Sequence, residues 1–145
     1  MIAAGGTPAP ASETSARGRV PSGHTEMSNP YETERLVDEY LLFHYGSGEE
    51  ILPWGFGPRE APGFPVRTAG RFSPGEVGRA LDLGCAVGRA AFELSRSSRQ
   101  VIGVDLSSAF VGVARRLAAG EPVFYQRKEE GRLSSRLEAR LPAGG

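Results

Sequence analysis

The chain has 145 residues, with 17 Lys+Arg set against 17 Asp+Glu, a length that accommodates one domain at most. Zero net charge gives nothing to draw the chain as a whole onto nucleic acid or an acidic membrane surface, and no run approaches the about eighteen apolar residues of a membrane span. The N-terminus lacks the apolar centre of a signal peptide. The single cysteine, Cys85, cannot close an internal disulfide, so a reducing cytoplasm is the expected compartment.

Residues 1–28 are rich in Ala, Gly, Pro, Ser and Thr and show no periodicity. Such a segment buries too little apolar surface to offset the entropy of ordering it, and it reads as a disordered leader. The next stretch, NPYETERLVDEYLLFHYG, predicts an amphipathic helix over 29–46. Asn29 is a cap residue, Pro30 suits the first helical position, and Glu32 stands at the spacing of a capping box. Leu36, Val37, Tyr40, Leu41 and His44 form one stripe, and Gly46 is a natural stop. The helix ends in Tyr40, Phe43, His44 and Tyr45. Two readings stand for that aromatic end: packing onto a core, or lining a pocket for a flat substrate.

Residues 47–78 carry prolines at 53, 58, 62, 65 and 74, which exclude a long helix or a central strand. Ile51, Leu52, Trp54, Phe56, Phe64 and Val66 are too apolar for a free linker. An ordered loop is expected, either a lid or a packed connection.

From Arg79 the pattern changes. ALDL predicts a short buried strand, GCAVG a tight turn, RAAFELSRS a helix with Ala90, Ala91 and Leu94 facing inward, QVIGVDLS a second strand, and SSAFVGVARRLAAG a second helix ending at Gly120. Strand, helix, strand, helix at this spacing predicts parallel strands, the start of a Rossmann-like, doubly wound α/β sheet over 79–120. Beyond it, 123–125 reads as a strand fragment and 132–141 as a charged helix.

The turn narrows the ligand. A glycine turn between a buried strand and a helix brings backbone N–H groups close to polar oxygens. The dinucleotide fingerprint G-x-G-x-x-G does not fit Gly84-Cys85-Ala86-Val87-Gly88, and Ala86 stands where a pyrophosphate would need the closest approach. Asp82, just before the turn, would repel phosphate but accept from an ammonium. Asp105, with Leu106 beside it, ends the second strand, where a carboxylate can accept from both ribose hydroxyls. An amino-acid head group and a ribose without phosphate describe S-adenosylmethionine. Each feature also has a plainer account: Asp105 or Ser107 as a helix cap, and Cys85 as a small packed residue. No metal site is expected.

LDLGCAVG resembles the first motif of the class I S-adenosylmethionine-dependent methyltransferases, with Ala86 in place of its middle glycine, and VIGVDLS resembles the second. That resemblance implies Asp82, Gly84, Cys85, Ala86 and Gly88 around the methionine end and Asp105 and Leu106 at the ribose. A narrower resemblance runs from Asn29 to Tyr125. NPYETERLVDEYLLFHYG, LPWGFGP, FPVR, DLGCAVGRAAFELSR and GVDLSSAFV are together similar to the 4-mercaptohistidine N-methyltransferase module of ovothiol biosynthesis, often the C-terminal part of a larger sulfoxide synthase. It implies methyl transfer to an imidazole nitrogen of a thiolated histidine, with an upstream synthase domain as partner. Tyr31, Tyr40, His44, Tyr45 and Arg67 are the substrate-binding residues expected by chemical type.

That superfamily has a seven-stranded sheet, and this chain supplies two clear strands and part of a third. The expectation is an N-terminal fragment of the module whose residues 121–145 form a truncated tail, a chain that is marginal or aggregation-prone alone or dependent on a partner such as a complementing fragment. Leu81, Leu83, Val101, Ile102 and Val104 should then lie partly open to water.

Overall fold

A computed structural model describes residues 29–72 and 77–141. The leader expected over 1–28 lies outside the described residues. The chain enters through a 3-10 turn, Pro30–Glu32, in which the Asn29 side chain accepts from the Tyr31 N–H at 3.1 Å. The first helix, α1 (Glu34–Tyr45), starts at Glu34 rather than at Pro30. Its cap is Thr33, whose hydroxyl accepts from the Leu36 N–H. The expected Asn29–Glu32 capping box does not form, because Glu32 is taken up by a helix 76 residues further on. The apolar stripe does face inward: Leu41 is fully buried, and Leu36, Val37, Tyr40 and Leu42 pack around the same core. Gly46 ends the helix where a Cβ would lie 2.5 Å from the Leu42 carbonyl oxygen.

The proline-rich stretch holds two short helices, α2 (Gly48–Ile51) and α3 (Phe64–Ala69). The first is closed by a Ser47–Glu50 capping box, and the second packs against the helix that follows the glycine turn.

Two strands, β1 (Val77–Leu83) and β2 (Ser98–Val104), pair in parallel, from Ala80 opposite Val101 to Leu83 opposite Val104. α4 (Arg89–Leu94) connects them and α5 (Ser108–Ala118) follows, so strand, helix, strand, helix stands as the sequence predicts. This mixed α/β arrangement, with a small parallel sheet, fits part of a Rossmann-like fold.

The tail differs from the expectation. Residues 132–141 do not form a charged helix: Ser134–Ala139 is a strand, β4, antiparallel to β3 (Val123–Lys128). The physical reason is a period of two. Leu137 and Ala139 face inward with Val123 and Tyr125 of β3, while Arg136 lies over the exposed Phe124 ring at 3.9 Å. Gly131, at φ 58, makes the turn. The hairpin forms its own two-stranded sheet instead of extending β2.

The core lies between α1, α5, the hairpin and the glycine turn, around Leu41, Val87, Phe110, Leu117, Val123 and Tyr125. It does not extend across the β1–β2 sheet. Leu81 and Leu83 are 59% and 74% exposed, and Val101, Ile102 and Val104 are only half-buried, as expected of a parallel pair that the described residues cover on one face.

Candidate functional site

The site grows from the turn between β1 and α4. Gly84, Ala86 and Gly88 all adopt left-handed backbone, at φ 80, 46 and 86. The N–H groups of Gly84 and Cys85 donate to the Val104 carbonyl at 2.8 and 3.1 Å, which fastens the turn to the end of β2. The two flanking glycines are needed for different reasons. A Cβ on Gly88 would lie 2.9 Å from Phe92 Cε2 and 3.0 Å from Ala114 Cβ, so this glycine lets α4 and α5 pack. A Cβ on Gly84 would meet nothing within 4 Å, so this backbone faces open space.

Asp105 faces the same space. Its Oδ2 accepts from the Ala86 N–H at 2.8 Å and its Oδ1 from the Ser107 N–H at 2.9 Å. Both oxygens are thus aimed while each keeps further acceptor capacity. Ser107 caps α5 through its hydroxyl, which accepts from the Phe110 N–H and donates to the Tyr31 carbonyl at 2.8 Å.

These residues bound a cleft of about 550 Å³ with Leu83, Val104, Leu106, Tyr31, Tyr40 and Phe110. That volume suits a small molecule. One wall is aromatic: the Tyr40 and Phe110 rings are 4.5 Å apart at 38°, and Tyr31 meets Phe110 at a steep angle, 6.0 Å away. A slightly larger groove, about 590 Å³, runs between α1 and the hairpin past Glu34, Asp38, Lys128 and Arg132. It shares no residue with the glycine turn, so the smaller cleft is the one with the chemistry.

Other predicted residues lie around the cleft rather than in it. Asp82 sits at the end of β1 behind the turn, close to α4, and outside the cleft lining. The helix it lies near, α4, has Gly88 as its N-cap and so no side-chain cap. Asp82 Oδ2 is buried without a partner. Burial raises the Asp82 carboxyl above its usual pKa, the Ala91 N–H opposes that rise, and the charge of Asp105 adds to it. Cys85 is buried beside Gly103, and burial, with the charges of Asp82 and Asp105, pushes its thiol up to about 11. It is a packed, protonated thiol.

Tyr45 and His44 tie the end of α1 to the turn. The Tyr45 hydroxyl donates to the Val87 carbonyl at 2.9 Å, and Arg89 lies over the Tyr45 ring while donating to the His44 carbonyl. Burial, helped by the Arg89 charge, lowers the His44 pKa to about 4, and its Nδ1 is buried without a partner. Arg67 donates to the carbonyls of Pro62 and Ala61 in its own loop and lies outside the cleft lining.

The structure thus brings Tyr31, Tyr40, Gly84, Ala86, Asp105 and Leu106 together. Sequence reasoning missed Phe110 and Glu32. Phe110 was legible as an inward position of α5; nothing local marks the role of Glu32. Among the described residues no group of three or more His, Cys, Asp or Glu could hold a metal ion, and no helix is long and apolar enough to cross a membrane.

Residues 80–138, from β1 into β4, match the family model of a methyltransferase domain. No curated protein matches the chain. The match supports a methyltransferase domain over these residues, of a kind that generally uses S-adenosylmethionine.

Proposed function

We propose that the cleft between Gly84, Asp105 and the Tyr31–Tyr40–Phe110 wall binds S-adenosylmethionine, and that the methyl group goes to an imidazole nitrogen of 4-mercaptohistidine. The observation that carries the cofactor reading is the Asp105 carboxylate, fixed by two backbone N–H groups at the mouth of a cleft where Gly84 leaves its backbone bare. Asp105 would accept from the ribose hydroxyls, and Gly84 would admit the ligand to van der Waals contact with the turn. The aromatic wall would pack the flat base. Two left-handed glycines and a left-handed alanine suit this geometry, in which backbone rather than side chains meets the ligand.

The substrate reading rests on the resemblance of the Asn29–Tyr125 region to the ovothiol module. The cofactor, when bound, supplies an electrophilic sulfonium methyl. A neutral imidazole nitrogen already has the lone pair needed, so the protein's part is to align it and keep water out. Calorimetry with S-adenosylhomocysteine tests the cofactor reading: micromolar binding that falls about a hundredfold in Asp105→Ala supports it, and undetectable binding ends it. Mass spectrometry for methylated product from 4-mercaptohistidine then tests the substrate.

One observation favours a second reading, a binding fragment that acts only with a complementary chain: the bare Leu81 and Leu83 face of the parallel pair. A sharp, cooperative thermal transition in dilute monomer would exclude it.

A further inference from the structure

α5 starts with every early N–H satisfied. The Ser107 N–H goes to Asp105 Oδ1 and the Phe110 N–H to the Ser107 hydroxyl. Between them, the Ser108 and Ala109 N–H groups donate to the Glu32 carboxylate at 2.7 and 3.0 Å, and the Ser108 hydroxyl adds a third bond at 2.9 Å. A helix start offers unpaired donors and a partial positive charge, and a carboxylate meets both. The acceptor comes from 76 residues earlier in the chain, beside Tyr31, whose own carbonyl accepts from Ser107.

The bonds at Glu32 therefore fix the short 3-10 turn that carries Tyr31. Tyr31 is 47% exposed, and its ring meets those of Tyr40 and Phe110 edge-on, with centroids 6.4 and 6.0 Å away. Contacts of that kind are too weak to hold a wall alone. We propose that Glu32 is a positioning residue: it latches the Pro30–Glu32 turn onto α5 and so holds Tyr31 as the outer wall of the ligand cleft. The proposal rests on the nucleoside reading of that cleft. It also couples the ribose carboxylate to the wall, since Asp105 and Glu32 share the same helix start.

A residue that merely capped α5 would change stability without acting through Tyr31. The test is calorimetry with S-adenosylhomocysteine on the full chain as wild type, Glu32→Gln, Tyr31→Ala and the double variant. Glu32→Gln keeps size but loses charge and acceptor capacity, and because Glu32 is exposed the variant should melt within a few degrees of wild type. The expected result is binding about fivefold to tenfold weaker in Glu32→Gln, and no further loss when it is added to Tyr31→Ala. Wild-type affinity in Glu32→Gln, or losses that multiply in the double variant, would overturn the proposal. Hydrogen exchange on the ligand-free protein reads the latch separately: the Ser108 and Ala109 amides should exchange faster in Glu32→Gln, and an unchanged rate overturns the latch. If the wild-type chain fails to bind, the nucleoside reading and the wall's role in it fall, while the exchange rates still decide whether the latch exists.

Discussion

The two faces of β1 differ sharply. On one, Ala80 and Asp82 are half-buried and Gly103 of the paired strand leaves just enough room for Cys85 and Ala91. On the other, Leu81 and Leu83 are mostly open, in register with Ile102 and Val104. The same seven residues thus present one packed face and one open face. A glycine turn with its acids can be completed within one strand–helix–strand–helix unit, because its bonds are short-range. A parallel sheet is usually covered on both faces, which takes longer-range packing than the turn does.

The packed face can be broken at Gly88. Gly88→Val places a Cβ 2.9 Å from Phe92 and 3.0 Å from Ala114, on backbone at φ 86. Strain and overpacking together should cost about 3 kcal/mol or more. Gly84→Val has the same left-handed strain but open space, and should cost only about 1–2 kcal/mol. Chemical denaturation of both variants checks the difference; equal losses would mean that the turn is not packed as described.

The next largest effect is a pH dependence at His44. Its folded pKa is about 4 against an ordinary 6.5, with burial the first cause and the Arg89 charge the second. The unfolded chain therefore binds more protons than the folded one between those values. Stability from this group is complete above pH 6.5 and is lost as pH falls toward 4, by about 1–3 kcal/mol. Asp82 and Asp38 have raised pKa values and titrate in the opposite sense. The comparison is therefore wild type against His44→Phe, whose melting temperature should fall less steeply over that window.

The bare face should respond least to charge. Leu81→Lys places an ammonium on a side chain already 59% exposed, and should change stability by no more than about 0.5 kcal/mol while reducing association. A loss above about 1 kcal/mol in dilute solution would show that something covers this face.

Much of this was legible because the signals were local. The apolar runs ending at Leu83 and Val104, the glycines of the turn and the N-cap Ser107 each act within a few residues, and the strand–helix–strand–helix order follows from them. Two features were not legible, for one reason. Arg136, Leu137, Glu138 and Ala139 have good helix propensity, yet pairing with β3 makes them a strand; only the alternation of Leu137, Ala139 and Leu141 hinted at it. Glu32 sits at capping-box spacing from Asn29, yet it satisfies a helix 76 residues away. In both cases a tertiary partner outcompeted the local one.

Ala86→Gly sharpens the comparison most finely, because at this position the opposing effects nearly cancel. Alanine at φ 46 carries about 1–2 kcal/mol of left-handed strain, which glycine would relieve. Against that, glycine gives the unfolded chain about 0.4–1 kcal/mol more entropy to lose, and removing a buried methyl forfeits about 0.8 kcal/mol. The expected net change is within about 0.5 kcal/mol of zero, measured by denaturant melts. A gain above about 1 kcal/mol would mean that Ala86 is kept despite real strain, which points to a role for its methyl at the cleft. A loss of that size would mean that the methyl is chiefly a core group, packed with Val87 and Phe110, and that the turn tolerates its backbone conformation for the sake of packing.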